Sequence, residues 1–354
     1  MIAAGNINIT KVERSKLKDI NLENIPFGKY FTDHMLEVDF EDGEWKNAEI
    51  KPYQPLLLDP STAALHYGQA IFEGVKAYKN ADGDAFIFRP LDNFKRFNIS
   101  AERMQMPQVP EEIFMEGLRQ LIELDKNWIP QQEDHSLYIR PFMFSSDEMI
   151  GVRPSDNYKF MIILSPTGPY YSAPMRIYVE EHFVRAVPGG VGYAKAAGNY
   201  GAAMYATAQA KSKGYDQVLW TDAFEHKYVQ ECGTMNVFFI IDNTAITPGL
   251  EAGTILAGVT RDSTITLLRE MGFNVQERQL SIDDIIDAHK AGILYEVFGT
   301  GTAATISLIK ELRYKDYVME FDVDSWKTAP AVKNQLNAIR YGQAADNHGW
   351  MHKI

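Results

Sequence analysis

Lys195 sits in a fifteen-residue segment, Gly189 to Ala203, in which ten residues are Gly or Ala. Neighbours this small leave room for something flat and rigid to lie against the backbone beside the lysine. An amine used as a nucleophile needs such a setting, because partial desolvation favours the neutral amine and the cleared space admits a carbonyl partner. A solvated lysine in a flexible turn has the same local composition, so the rest of the chain must decide. If the carbonyl belongs to a pyridine aldehyde cofactor, four more parts are required. These are an acid for the pyridine nitrogen, a donor for the ring phenolate, a phosphate cup and a site for a substrate carboxylate.

Glu231 is the candidate acid. It lies in Gln230-Glu231-Cys232-Gly233-Thr234-Met235-Asn236, at a turn leading into an apolar strand that ends at Ile241. A carboxylate beside a buried strand is costly unless it meets a positive charge, and a pyridinium supplies one. Two loops are candidates for the phosphate cup. Leu256-Ala257-Gly258-Val259-Thr260-Arg261-Asp262 puts a glycine at a helix start, where backbone N–H groups and the dipole favour an anion. Gly299-Thr300-Gly301-Thr302-Ala303 offers a second set of amides with hydroxyls. Arg96, in Asp92-Asn93-Phe94-Lys95-Arg96, can add charge from the first half of the chain. Each feature alone also fits an ordinary turn or a surface helix.

Other chemistries find no support. Walker, Gly-x-Ser-x-Gly and His-Glu-x-x-His patterns do not occur. His348 and His352 have the i, i+4 spacing of metal ligands, but near a chain end they read as unstructured, and no metal site is expected.

The elements that must position these groups alternate. Ala85 to Phe88 reads as a hairpin return, Pro90 opens a helix through about Met104, and Pro110-Glu111-Glu112 opens another. Ser136 to Phe144 and Tyr158 to Leu164 read as strands. Ser165 to Pro174 then carries three prolines and a glycine, with the pair Tyr170-Tyr171 inside it. The spacing predicts a strand over Met175 to Glu181, a helix over Asn199 to Lys213 stopped by Gly214, and strands at Gln217 to Thr221 and Asn236 to Ile241. A helix follows near Gly258, Ser281-Ile282-Asp283-Asp284 reads as a capping box, and a strand over Leu294 to Phe298 runs into the second Gly-Thr loop. The fold class is α/β (α+β) in two domains: a small N-terminal domain over 1–165, a linker over 166–174 and a larger C-terminal cofactor-binding domain over 175–354. A cofactor cleft is expected between them.

Bulk properties narrow the class. With 354 residues, 45% of them hydrophobic, the chain can build globular cores. A net charge of -12 argues against a nucleic-acid partner. The single Cys232 fits a reducing compartment, and Met1 to Asn8 lacks the pattern of a secretory signal. No apolar run approaches a membrane span. A cytosolic protein is expected.

Taken in order, these segments resemble the branched-chain amino acid aminotransferases, members of the fold-type-IV pyridoxal phosphate enzymes. The resemblance runs from Phe31-Thr32-Asp33-His34-Met35 through His66-Tyr67-Gly68, Phe72-Glu73-Gly74-Val75-Lys76-Ala77, Tyr138-Ile139-Arg140-Pro141, Gly198-Asn199-Tyr200 and Glu231 to Asn236, ending at Gly299 to Ala303. Each motif is weak alone, and the ordered set is specific. The resemblance implies that Lys195 is the Schiff-base lysine, Glu231 the partner of the pyridine nitrogen and Tyr200 the donor to the ring phenolate. It places the phosphate of pyridoxal 5'-phosphate on Arg96, Val259, Thr260 and Thr302. The substrate carboxylate would lie near Thr234 and Ala303, with help from Tyr67 and Arg140. Phe27, Phe72, Tyr138 and Tyr170 match an apolar wall for a branched side chain. It also implies a homodimer in which a loop, here Ile150-Gly151-Val152, reaches the neighbouring subunit's site. The substrates implied are small amino acids and 2-oxo acids: reversible transamination of L-leucine, L-isoleucine and L-valine with 2-oxoglutarate.

One departure is informative. Some animal members carry Cys-x-x-Cys after the second Gly-Thr turn, where this chain has Ala303-Ala304-Thr305-Ile306, so a thiol switch of that type is absent. Cys232 reads as a small buried filler. The alternatives are D-amino acid aminotransferase, aminodeoxychorismate lyase, or a non-catalytic phosphate- or nucleotide-binding protein with Lys195 as a simple charge.

Overall fold

The computed structural model describes residues 7–23, 25–170 and 173–354. The first six residues, which carry most of the segment read for a signal, and Tyr171 of the tyrosine pair lie outside the described residues. The chain divides into two compact units, Met1–Tyr170 with Ala194–Gly198 and Asn337–Ile354, and Tyr171–Tyr193 with Asn199–Leu336.

The first unit is built on a nine-stranded sheet. Its spatial order is Asn8–Ile9, Glu44–Pro52, His34–Glu41, Tyr158–Thr167, Ser136–Ser145, Val75–Lys79, Ala85–Phe88 and Met351–Lys353, with Ala70–Phe72 also on Ser136–Ser145. Strict alternation in the central strands sorts the two faces. Leu36, Val38, Leu137, Ile139, Phe160 and Ile162 turn to one face, where helices Pro90–Arg103 and Glu111–Leu124 cover them with Phe97, Ala101, Phe114 and Leu118. Full burial of side chains such as Phe114 and Leu118 contributes about 1.5–3 kcal/mol each. Gly117 lets the second helix approach, since a Cβ there would lie 2.6 Å from Leu36 Cδ2. The opposite parity, Tyr138, Arg140 and Phe142, faces the other way, and there Met35, Phe144 and Met161 form a smaller apolar cluster.

Two prolines sit within strands where a ladder donor is not needed. Pro141 lies where Ser136–Ser145 changes partner, from Val75–Ala77 opposite Leu137–Ile139 to Ala70–Phe72 opposite Phe142–Phe144. Pro166 lies beyond Ile163, the last residue of its strand paired with His34–Glu41. The strand therefore continues to Thr167, and the first residues of the expected linker belong to the sheet.

The second unit holds another nine-stranded sheet, in the order Val229–Cys232, Gln217–Thr221, Met175–Val179, Thr305–Tyr314, Leu294–Gly301, Asn236–Ile241, Thr244–Thr247 and Asn274–Glu277, with Tyr317–Glu320 on Thr305–Tyr314. Its pairings mix parallel and antiparallel. Asn236–Ile241 is buried on both faces, with Val237 and Phe239 in the main core and Phe238 stacked on Phe298. The capping box forms as expected: Ser281 Oγ accepts the Asp284 N–H at 3.0 Å, and Asp284 accepts the Ser281 N–H at 3.1 Å. Helix Thr328–Arg340 is capped from a distance, because Glu296 accepts the N–H groups of Lys327, Thr328 and Ala329 at 2.7–2.9 Å.

The α/β (α+β) class and two-unit organisation hold, but the division differs from the expected boundaries. The first unit is the longer, because 337–354 returns to it and Met351–Lys353 pairs with Phe86–Phe88. His352 is therefore in a strand opposite Ile87, and His348 stacks on Trp350 with centroids 4.2 Å apart, so the segment expected to be unstructured is ordered. Among the described residues no group of His, Cys, Asp and Glu is placed to hold a metal ion, and no helix is long and apolar enough to cross a membrane.

Candidate active site

Within the first unit, Lys195 is held by its backbone. Its N–H donates to Ser100 Oγ at 2.9 Å, and its carbonyl accepts the Phe72 N–H at 3.1 Å. Ala196 bridges to Ile71 in β fashion. Main-chain contacts fix the lysine's origin while the side chain extends over the Phe72 ring, Nζ 4.7 Å from its centroid. The same ring carries the Arg140 guanidinium at 4.6 Å. Arg140 donates to the Tyr138 hydroxyl at 2.9 Å, and its Nε is buried without a hydrogen-bond partner. Phe27 meets Tyr138 and Tyr170 edge-on at 4.8 and 4.9 Å. Phe27, Phe72, Tyr138 and Tyr170 are thus brought together, with the Arg140 guanidinium among them.

The motif around Phe72 holds a pair that sequence reasoning missed. Glu73, fully buried, forks with Arg96: Nε to Oε1 at 2.7 Å and Nη2 to Oε2 at 2.8 Å. Glu73 thereby engages the Nε–Nη2 edge of the Arg96 guanidinium. The signal was an acid set in an apolar motif, which needs a counter-charge. Beside it, Gly74 is required because a Cβ would collide with the Tyr138 hydroxyl.

Tyr67 ends the helix Ala63–Tyr67, which is tied to the loop after Ser136–Ser145 by Ala63 N–H to Asp147 O at 2.9 Å and a bridge from Thr62 to Glu148. Asp147 fixes that loop by accepting the N–H groups of Asp156 and Asn157 at 3.0 and 2.9 Å. Ile150 and Val152 project from it, 73% and 90% exposed.

Within the second unit, Glu231 lies on the strand Val229–Cys232 rather than in the turn itself. The turn is Gly233-Thr234, closed by mutual backbone bonds of Cys232 and Met235 at 2.9 Å. Glu231 Oε1 accepts the Leu256 N–H at 2.7 Å, and Oε2 lies 3.3 Å from Arg185 Nε. Arg185 therefore supplies a counter-charge to Glu231 from within the chain. Cys232 is buried, and burial together with the Glu231 charge pushes its thiol pKa well up, in keeping with a filler.

Val259 and Thr260 open the helix Val259–Glu270 behind Gly258, which supplies no capping side chain. Asn236 Nδ2 donates to Leu256 O at 2.9 Å, and a Cβ on Gly258 would strike Asn236 Oδ1, so that loop is seated on the buried strand. The second Gly-Thr loop is corrected. Gly299 to Gly301 are ladder residues paired with Val237, Asn236 and Ser307 to Thr305, and only the residues between Gly301 and Thr305, including Thr302 and Ala303, form the turn. Gly299 clears Met235, whose Cε would lie 2.8 Å from a Cβ there. Thr300 Oγ1 is buried without a hydrogen-bond partner.

Tyr200 is on the first turn of Ala197–Ser212 and half-buried, and Thr234 is exposed. The glycines around Lys195 divide into two kinds. Gly192 is tightly packed, 2.6 Å from Thr254 O at its Cβ position, whereas Gly198 and Gly201 each face open space.

The family model for class IV amino-transferases matches residues 70–312. A probable branched-chain-amino-acid aminotransferase of Staphylococcus epidermidis is 47% identical over 345 residues, covering 96% of each chain. The branched-chain-amino-acid transaminase 1 of Bacillus subtilis is 53% identical over 294 residues, covering 82% of each. Among solved structures, the branched-chain amino acid aminotransferase of Escherichia coli superposes with a TM-score of 0.74 at 25% identity, over 90% of this chain and 98% of that one. This chain therefore belongs to the class IV aminotransferases, and within them to the branched-chain-amino-acid aminotransferases.

Proposed function

We infer that the protein catalyses pyridoxal-phosphate-dependent, reversible transamination of L-leucine, L-isoleucine and L-valine with 2-oxoglutarate, giving branched 2-oxo acids and L-glutamate. The observation that carries this reading is Lys195, tethered through its backbone to Ser100 and Phe72 while its amine extends over the Phe72 ring. Bound pyridoxal phosphate supplies an aldehyde for amine exchange and a ring that takes up electrons released at the substrate's α-carbon. Three features support its fit: open space beside Gly198 and Gly201, a buried and paired carboxylate at Glu231, and the unpartnered Thr300 hydroxyl on the strand paired with Asn236, whose side chain seats the Gly258 loop.

Lys195 Nζ takes the α-proton and returns it as general base and acid. Glu231 accepts from the pyridine nitrogen and Tyr200 donates to the phenolate oxygen. Arg96, Val259, Thr260 and Thr302 hold the phosphate. Thr234 and Ala303 receive the substrate carboxylate, with Tyr67 and Arg140. The aromatic wall of Phe27, Phe72, Tyr138 and Tyr170 tells leucine from isoleucine poorly, since a methylene is worth about 1–3 kcal/mol of discrimination. The protein acts as a homodimer, with Ile150 and Val152 on a fixed, exposed loop reaching the neighbouring copy. A monomer mass in sedimentation equilibrium would remove that reading. A cytosolic setting fits the single, buried Cys232.

Steady-state assays with L- and D-amino acids against 2-oxoglutarate test the activity: turnover of L-leucine is expected, and a preference for D-alanine would overturn it. Glu231→Gln is expected to cut kcat by about 10²–10⁴-fold with a smaller change in cofactor occupancy. Equal loss of both would mean that Glu231 is structural.

A further inference from the structure

We propose that Arg185 is a positioning residue for Glu231, and through it for the ring-nitrogen end of the cofactor; this rests on the transaminase reading above. The Arg185 side chain is 8% exposed and Glu231 is 5% exposed. The two sit 3.3 Å apart, Nε to Oε2, in an ion pair that is not an aligned hydrogen bond, because Nε has no hydrogen-bond partner. The guanidinium is oriented from its other side. Nη2 donates to Gly192 O at 3.3 Å and closely to Thr254 O.

Each oxygen of Glu231 is thereby assigned. Oε1 takes the Leu256 amide, and Oε2 faces Arg185. A buried carboxylate with no cation nearby is expensive, and a guanidinium stays charged at any relevant pH. Arg185 thus presets Glu231 as an acceptor before any ligand arrives. It also ties that carboxylate to two other segments. Gly192 lies three residues before Lys195, and Thr254 leads through Leu256 into the helix that starts at Val259. Gly192 and Thr254 touch each other too, since a Cβ on Gly192 would lie 2.6 Å from Thr254 O. Within the second unit, one guanidinium therefore joins the acid, the segment at Gly192 and the approach to the helix start.

Replacement of Arg185 by Met and by Lys, alone and with Glu231→Gln, separates positioning from plain stapling. Pyridoxal phosphate affinity is read by fluorescence titration, and the absorption of the Lys195-linked cofactor is followed across pH. R185M is expected to weaken binding by about 10–100-fold, the usual range for groups that orient a ligand's direct partners, and to shift the pH at which the absorption changes. R185K keeps the charge and should recover most of the wild-type pH profile. The double variant R185M/E231Q should bind no more weakly than E231Q, because the two changes remove one interaction. Unchanged affinity and pH profile in R185M, with only a lower Tm of the cofactor-free protein, would overturn the proposal. Should R185M fail to fold, R185K decides: a pH profile displaced as far as that of E231Q, and additive to it, would overturn it equally. Wild-type protein that takes up no pyridoxal phosphate would instead overturn the transaminase reading itself.

Discussion

Replacing Lys195 with alanine is expected to abolish transamination, lowering kcat by more than about 10⁴-fold, while leaving the protein folded. The two halves of that expectation come from different parts of the residue. On the proposed reading, chemistry depends on Nζ, which lies over the Phe72 ring. Structure depends on the main chain, whose bonds to Ser100 Oγ and from the Phe72 N–H survive any side-chain change. The side chain's cation–π contact with Phe72 is worth about 0.5–1 kcal/mol. For a unit of this size, loss of that contact moves Tm by about 4 °C at most. A coupled kcat assay and a melting curve on the same preparation check both halves. A residual rate within about tenfold of wild type would mean that another amine does the chemistry. A large fall in Tm would mean that the lysine is structural.

The segment around Lys195 stands out in the sequence because its signal is local: small residues crowd around one amine, and a Cβ at Gly198 or Gly201 would meet no neighbour. Glu231, an acid beside an apolar strand, and Gly258, a glycine at a helix start, also stand out from their immediate neighbours. What stayed hidden depends on residues far apart in sequence. Nothing near Glu73 points to Arg96, and nothing near Glu231 points to Arg185; both pairs exist because strands and helices bring them together. Composition also misled in two places. Pro166 reads as linker, yet it occupies a strand where no partner needs its missing donor. Gly299 and Gly301 read as a loop, yet they are strand residues, with Gly299 made small by Met235 packing against it. The return of 337–354 to the first unit had no local signature, because an edge strand of three residues is too short to show periodicity.

The largest expected effect on stability lies at Glu73. Glu73→Ala leaves the Arg96 guanidinium, itself 8% exposed, without its carboxylate. Breaking one side of such a buried pair costs about 3–5 kcal/mol, because the remaining charge has lost its counter-charge rather than merely a contact. The expected fall in Tm is on the order of 10 °C. The conservative Glu73→Gln keeps the shape and should fall nearly as far, since an amide does not neutralise a guanidinium. Removing both charges, as in E73L/R96M, should restore most of the lost stability, because apolar replacements of similar volume often match a buried ion pair. That recovery separates two roles carried by one pair. If Arg96 serves only the fold, the double variant binds pyridoxal phosphate like the wild type. If Arg96 also holds the phosphate, as proposed, the double variant melts near the wild type and binds cofactor weakly. A double variant as unstable as Glu73→Ala would show that the shape of the fork, not its charge balance, sets the stability there.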